Sequence, residues 1–170
     1  MKIPPMITNA EADRIRRQLS EPHRTIFDLA RETGLRISDI LKIKACDIAP
    51  SMSVIESKTG KINAFKLSET LYKRLKRYYT CKTMNYAFQS TRDSKKHIHR
   101  STVHRHLKRA GHWSDINLST HSARKLFAMN IFHKTGKVKE VQKALNHKYM
   151  STTLSYLNIN LDELISEVRP

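Results

Sequence analysis

Acidic side chains are scarce in this chain. Only 15 Asp and Glu stand against 32 Lys and Arg in 170 residues, a net charge of +17 with the histidines neutral. That surplus argues for an anionic partner, with nucleic acid the first candidate, although ribosomal proteins, histone-like proteins and DNA enzymes all share it. Cysteine is nearly absent. Cys46 and Cys81 lie 35 residues apart with no metal-type spacing, which excludes a secreted disulfide scaffold and fits a reducing cytoplasm. No apolar run reaches the roughly 18–20 residues a membrane span needs. The start, Met1 to Pro5, lacks the apolar stretch of a signal peptide. Low-complexity tracts and internal repeats are also missing.

What is present suits one globular domain. At 39% hydrophobic and 7% aromatic residues, the chain can build a moderate core, unlike a disordered basic tail. Its 170 residues suffice for one domain without disulfides or metals as staples. The charge is concentrated. Residues 1–57 carry a surplus of only +1 and residues 114–170 one of +3, whereas residues 58–113 hold 15 basic against 2 acidic side chains. The middle third is therefore the expected nucleic-acid footprint.

Thr8 and Glu11 are spaced as a capping box, and Ile15 and Leu19 follow one turn apart, so a first helix is expected there. Pro22 suits the first turn of a second helix with Ile26, Leu29 and Ala30, which Gly34 is placed to end. Ser38 is a candidate cap for a short third helix. Residues 52–57 and 62–67 read as two strands, with turn chemistry at Thr59 and Gly60 between them. A helix resumes at Ser68 with Leu71, Leu75 and Tyr78 or Tyr79 on one face. Residues 80–100 read as a loop around a short strand at 86–89, and Ser101–Ala110 as a very basic helix. Further helices are expected at about 120–134, ended by Gly136, then at 138–146, 151–157 and 161–168, the last capped by Asn160. The fold class is mainly α with a small antiparallel β-sheet.

Several constellations carry chemistry, though each alone has an ordinary reading. His121 and Arg124 are three apart, hence on one helix face, where both can donate to one phosphate. Arg36 precedes a helix start, a favourable place for an anion, with Asp39 able to orient it. Lys58 sits on the hairpin turn, where a lysine can reach into a groove and give up a proton. His147 is followed nine residues later by Tyr156, a tyrosine that by itself reads as packing. His97, His99, His104, His106 and His112 invite a zinc reading. Their neighbours are Arg and Lys in a cation-repelling segment, so contacts with DNA are the better use, and no metal or cofactor is expected.

The order of these elements is more telling than any one of them. Arg36, Lys58, His121 with Arg124, His147 and then Tyr156 resemble the active-site pattern of the tyrosine recombinases, the phage integrase family, across residues 8–157. Lys125 stands where the family often has His. The resemblance implies a tyrosine recombinase catalytic-domain fold over residues 1–157 and a tail helix, 158–170, that docks on a neighbouring protomer or packs on its own domain. Most members carry an N-terminal helical domain ahead of this pattern. The chain is thus either a piece of a longer protein or similar to the short fimbrial-switch recombinases.

The resemblance also implies a mechanism. Tyr156 would attack a phosphodiester to form a 3′-phosphotyrosyl link, Arg36, Arg124, His121 and His147 would hold the phosphate, and Lys58 would protonate the leaving 5′-oxygen. Neither ATP nor metal is required, because the covalent link conserves the bond energy. Lys61, Arg100, Arg105, Lys108 and Arg109 are the expected contacts with double-stranded DNA. The expected assembly is a homotetramer on DNA, in the cytoplasm and away from membranes. A type IB topoisomerase-like activity and a DNA-binding regulator with an unused active site are the alternatives.

Overall fold

The computed structural model describes residues 6–79 and 83–159. Helix α1, Asn9–Gln18, opens on a complete capping box, with the Thr8 hydroxyl accepting from the Glu11 amide and the Glu11 carboxylate accepting from the Thr8 amide. Helix α2, His23–Thr33, buries residues on most of its circumference, among them Ile26, Phe27, Leu29 and Ala30. It packs against α1, the short α3 (Ile37–Ile40), α4 (Glu69–Tyr79), α5 (Arg100–Trp113) and α6 (Ser122–Thr135), and so forms the centre of the larger core. Each such apolar side chain, fully buried, is worth about 1.5–3 kcal/mol before the entropy of ordering it is counted.

Gly34 ends α2 in the left-handed conformation, with φ of +68°. A side chain there would run into the ring of Phe127 on α6, so the glycine also sets how closely α2 and α6 approach. Helix α3 starts earlier than expected. Arg36, in extended conformation, is its N-cap, and the Arg36 carbonyl accepts from the amides of Asp39 and Ile40, which leaves Ser38 inside the helix. A 3-10 turn at Ala45–Asp47 leads into the sheet.

Strands β1 (Ser51–Ile55) and β2 (Ile62–Lys66) pair antiparallel, with Ser51 opposite Lys66 and Ile55 opposite Ile62. They are shorter than the expected 52–57 and 62–67 because pairing gives way to the turn at Glu56. Its amide donates to the Lys61 carbonyl and its carbonyl accepts from Gly60. On α4 it is Tyr79 that is buried, while Tyr78 is exposed. The strand expected at 86–89 reduces to isolated bridges, Lys44 to Tyr86 and Gln89 to His97, that tuck Ala87 and Phe88 into the core. Helix α5 runs past Ala110 to Trp113. Gly111 does not end it; a side chain at that position would strike the Ile116 carbonyl as the chain doubles back.

A second, smaller core joins α6 to α7 (Val138–Ala144) and α8 (Met150–Leu157) through Ala128, Val141, Leu145 and Leu157. Helix α6 serves both cores, since Ala123 and Leu126 belong to the larger one. The two cores therefore meet along this helix, between Leu126 and Ala128. The helix expected at 161–168 falls outside the described residues. No described helix is long and apolar enough to cross a membrane.

Candidate active site

The first half of the chain supplies a charged frame. Arg36, at the head of α3, places its guanidinium on the carboxylate of Glu56, which is fully buried at the start of the hairpin turn. Asp39, also buried, lies 3.9 Å from Arg36 and accepts the amide of Ser57 at 3.1 Å, tying the turn to α3. The turn presents Lys58 to solvent, without a hydrogen bond or ion pair among the described residues. Burial by itself would raise the carboxyl of Glu56, but hydrogen bonds from Asn63 and Arg36, with the charge of Arg124, hold it below the usual range.

The second half supplies the aromatic and imidazole groups. His121 caps the start of α6, its amide donating to the Ser119 hydroxyl at 3.1 Å. Its Nδ1 lies 2.9 Å from the hydroxyl of Tyr156 on α8, the two rings at 90°. Burial, followed by the charges of Arg100 and Arg124, pushes the His121 imidazole down, so at neutral pH it is uncharged and able to accept the phenolic proton. His147 is buried in the connection from α7 to α8, with Nδ1 3.1 Å from the Thr153 hydroxyl and its ring 5.0 Å from that of Tyr156. Burial, then Arg124 and Arg36, push it down to about 4. The Nζ of Lys125, another buried group, lies 5.9 Å from the centre of the Tyr156 ring.

Arg124 departs from the expected open fork. Only 1% exposed, its guanidinium donates to the Gly34 carbonyl and, at 2.8 Å, to the Leu145 carbonyl, and it stands 3.9 Å from Glu56. Two of its donors are thus committed to bracing the ends of α2 and α7, while its buried Nε has no hydrogen-bond partner among the described residues. An arginine in that position contributes fixed positive charge under the site as much as direct contacts.

Arg36, Lys58 and His121 line one cleft of about 430 Å³, together with Arg100, whose guanidinium donates to Thr120 at 3.4 Å. All six expected active-site residues thus gather where α3, the hairpin turn, α6 and α8 meet. The expected DNA contacts spread outward. Lys61 is exposed on the turn, and Arg105, Lys108 and Arg109 are exposed on α5, Lys108 bonded to Asn117 at 3.0 Å and Arg109 stacked on Trp113. The histidine group disperses: His97 bonds the Ile98 carbonyl, His99 caps α5, and His106 stacks on His23.

The sequence pattern alone assigns no role to Glu56 or Asn63. The signal for Glu56 is that it continues the alternation of Met52 and Val54 one residue past β1, onto the inward side, and is charged.

Comparison with known proteins places these features in a family. A model described as the Phage integrase family matches residues 3–163. A probable integrase/recombinase, YoeC of Bacillus subtilis, is 31% identical over 141 residues, covering 81% of this chain and 77% of that protein. The crystal structure of XerA recombinase superposes with a TM-score of 0.77 at 24% identity, over 100% of this chain and 67% of that one. A lambda integrase dimer bound to a COC' core site matches with a TM-score of 0.73 at 23% identity, over 92% and 60%. Among the first curated relatives, the chain spans from about half to about three-quarters of their length.

Proposed function

The chain belongs to the phage integrase family, and on that footing we propose that it is a site-specific recombinase that cleaves and rejoins DNA through a 3′-phosphotyrosyl link. The observation that carries this reading is the 2.9 Å approach of the Tyr156 hydroxyl to an uncharged His121, beside a cleft lined by Arg36, Lys58 and Arg100. Free tyrosine, with a pKa of about 10, is a poor nucleophile at neutral pH, so an adjacent proton acceptor is what the reaction needs.

In this scheme the phenolic proton passes to Nδ1 of His121 as the Tyr156 oxygen bonds to phosphorus. The bond from phosphorus to the 5′-oxygen breaks, and Lys58 supplies the proton that oxygen takes up. Arg36 meets the non-bridging oxygens. Arg124 offsets their charge from beneath, and His147 supplies a donor if the Thr153 hydroxyl donates to Nδ1 and leaves the ring proton on Nε2. Each such donor is worth about 3–4 kcal/mol at the barrier, as for oxyanion-hole deletions. Reversal by a different 5′-hydroxyl completes strand exchange without ATP or metal. We also read residues 1–157 as the catalytic unit and a tetramer on double-stranded DNA as the working assembly.

A nicked suicide duplex, its site selected by wild-type binding from a random-sequence pool, tests the chemistry on a denaturing gel. Wild type is expected to form a covalent adduct and Tyr156→Phe none. Tight binding without an adduct would leave a DNA-binding regulator. Relaxation of a plasmid that lacks the site would favour the topoisomerase-like reading.

A further inference from the structure

A fully buried carboxylate at the start of a hairpin turn is costly unless partners satisfy it. Glu56 has them from both halves of the site. Oε1 accepts from Asn63 at 3.0 Å and from Asn146 at 3.5 Å, and Oε2 accepts from Arg36 and, at 3.2 Å, from the Thr59 hydroxyl. The backbone of the same residue closes the turn, its amide to Lys61 at 2.9 Å and its carbonyl from Gly60 at 2.8 Å. Lys58 lies between these closures and has no partner of its own among the described residues, so the turn alone places its ammonium.

We infer that Glu56 is a positioning residue: one carboxylate clamps Arg36 and the Lys58 turn into a single frame, so that phosphate holding and leaving-group protonation are set together. This role rests on the strand-cleavage reading above and adds a residue that the family pattern quoted for this chain leaves out. A merely structural Glu56 would hold the hairpin to the body and would affect every substrate alike. A Glu56 that places the general acid would matter most where the leaving group needs a proton.

The experiment compares two suicide duplexes of the selected site, one with the ordinary linkage and one with a 5′-bridging sulfur at the scissile phosphate. The sulfur leaves as a thiolate and needs no proton from Lys58. Lys58→Ala calibrates the assay, with a loss of about 100-fold or more on oxygen and a much smaller one on sulfur. Glu56→Gln keeps the shape but turns one acceptor into a donor against Arg36, Asn63 or Thr59. It is expected to slow cleavage of the oxygen linkage by about 10- to 100-fold, with at least about fivefold of that loss recovered on sulfur and DNA affinity within about threefold of wild type. Equal slowing on both linkages, or no slowing, overturns the role. If Glu56→Gln does not fold, Thr59→Val, which removes the hydroxyl that donates to Glu56 and accepts the Lys61 amide at a half-exposed position, must show the same preferential recovery. A wild type that forms no adduct on either linkage overturns the cleavage reading and this role with it, whereas a wild-type adduct with equal defects overturns the role alone.

Discussion

The hydroxyl of Tyr156 lies 2.9 Å from Nδ1 of His121, across a junction between α6 and α8 that brings residues 35 apart in sequence into contact. The chemistry proposed for the site depends on that imidazole being uncharged, and its burial beside Arg100 and Arg124 keeps it so at neutral pH.

A pH profile follows from it. The pKa of His121 lies below its ordinary 6.5, so protonation disables the acceptor only in acid. Single-turnover adduct formation should be level near neutrality and fall as pH drops below about 6.5. His121→Ala should slow the step by about 100-fold or more and abolish the acidic limb. A limb that persists in this variant would belong to another group, with His147, pushed down to about 4, the next candidate.

Arg124 and Arg36 should fail differently when removed. Arg124→Ala strips the Gly34 and Leu145 carbonyls of their donor and leaves Glu56 with less counter-charge in a buried setting. Loss of one partner from such an arrangement costs about 3–5 kcal/mol of stability, in addition to cleavage. Arg36 keeps 15% of its side chain exposed at the edge of the cleft, so Arg36→Ala should lose cleavage with a smaller fall in the urea midpoint. Equal losses of stability would show that Arg36 is as structural as Arg124.

Local chemistry announced much of this architecture and long-range contacts hid the rest. The Thr8 cap, the Gly34 and Gly136 stops and the alternation through β1 and β2 each depend on neighbours a few residues away, and each lies where the spacing put it. The ordered active-site residues were legible as a pattern. Their surroundings were not. Whether Arg124 is an open fork or a buried brace depends on carbonyls 90 and 21 residues distant. At α3, Ser38 has the better capping chemistry, yet it is the carbonyl of Arg36 that begins the helical bonds. The stack of His23 on His106 joins α2 to α5, which nothing in either segment signals.

That stack gives the fold its own acid sensitivity. His23 is 7% exposed, has no hydrogen-bond partner on either ring nitrogen among the described residues, and is pushed down to about 4 by burial and by the neighbouring His106 and Arg109. His147 is displaced to a similar value. Between about 6.5 and 4 the unfolded chain binds protons at these sites that the folded chain refuses, so stability falls as pH is lowered through that window and is unaffected above it. The loss is bounded at about 3 kcal/mol for each group. Urea midpoints at pH 7 and pH 5 check the sign, and His23→Phe should remove part of the difference, the rest belonging to His147, His121 and His106. A midpoint that rises on acidification would reverse the assignment.

The charge of α5 makes a separable prediction about DNA. Arg105, Lys108 and Arg109 are exposed on that helix beyond the cleft, whereas Arg100, at its first turn, lines the cleft and bonds Thr120. Side chains that only neutralise phosphates set affinity and its salt dependence, while those at the scissile group set rate. Replacing Arg105, Lys108 and Arg109 together with Gln should therefore flatten the plot of log affinity against log salt by about 2–3 in slope, or about 0.9 for each phosphate no longer neutralised. Cleavage of fully bound DNA should stay within a few-fold of wild type. Arg100→Gln should do the reverse, slowing cleavage at saturation and changing the slope by no more than about 1. Fluorescence anisotropy across a salt series, paired with single-turnover cleavage at saturating protein, separates the two. An unchanged slope in the triple variant would remove α5 from the DNA interface and shift the footprint toward Lys61 and the hairpin.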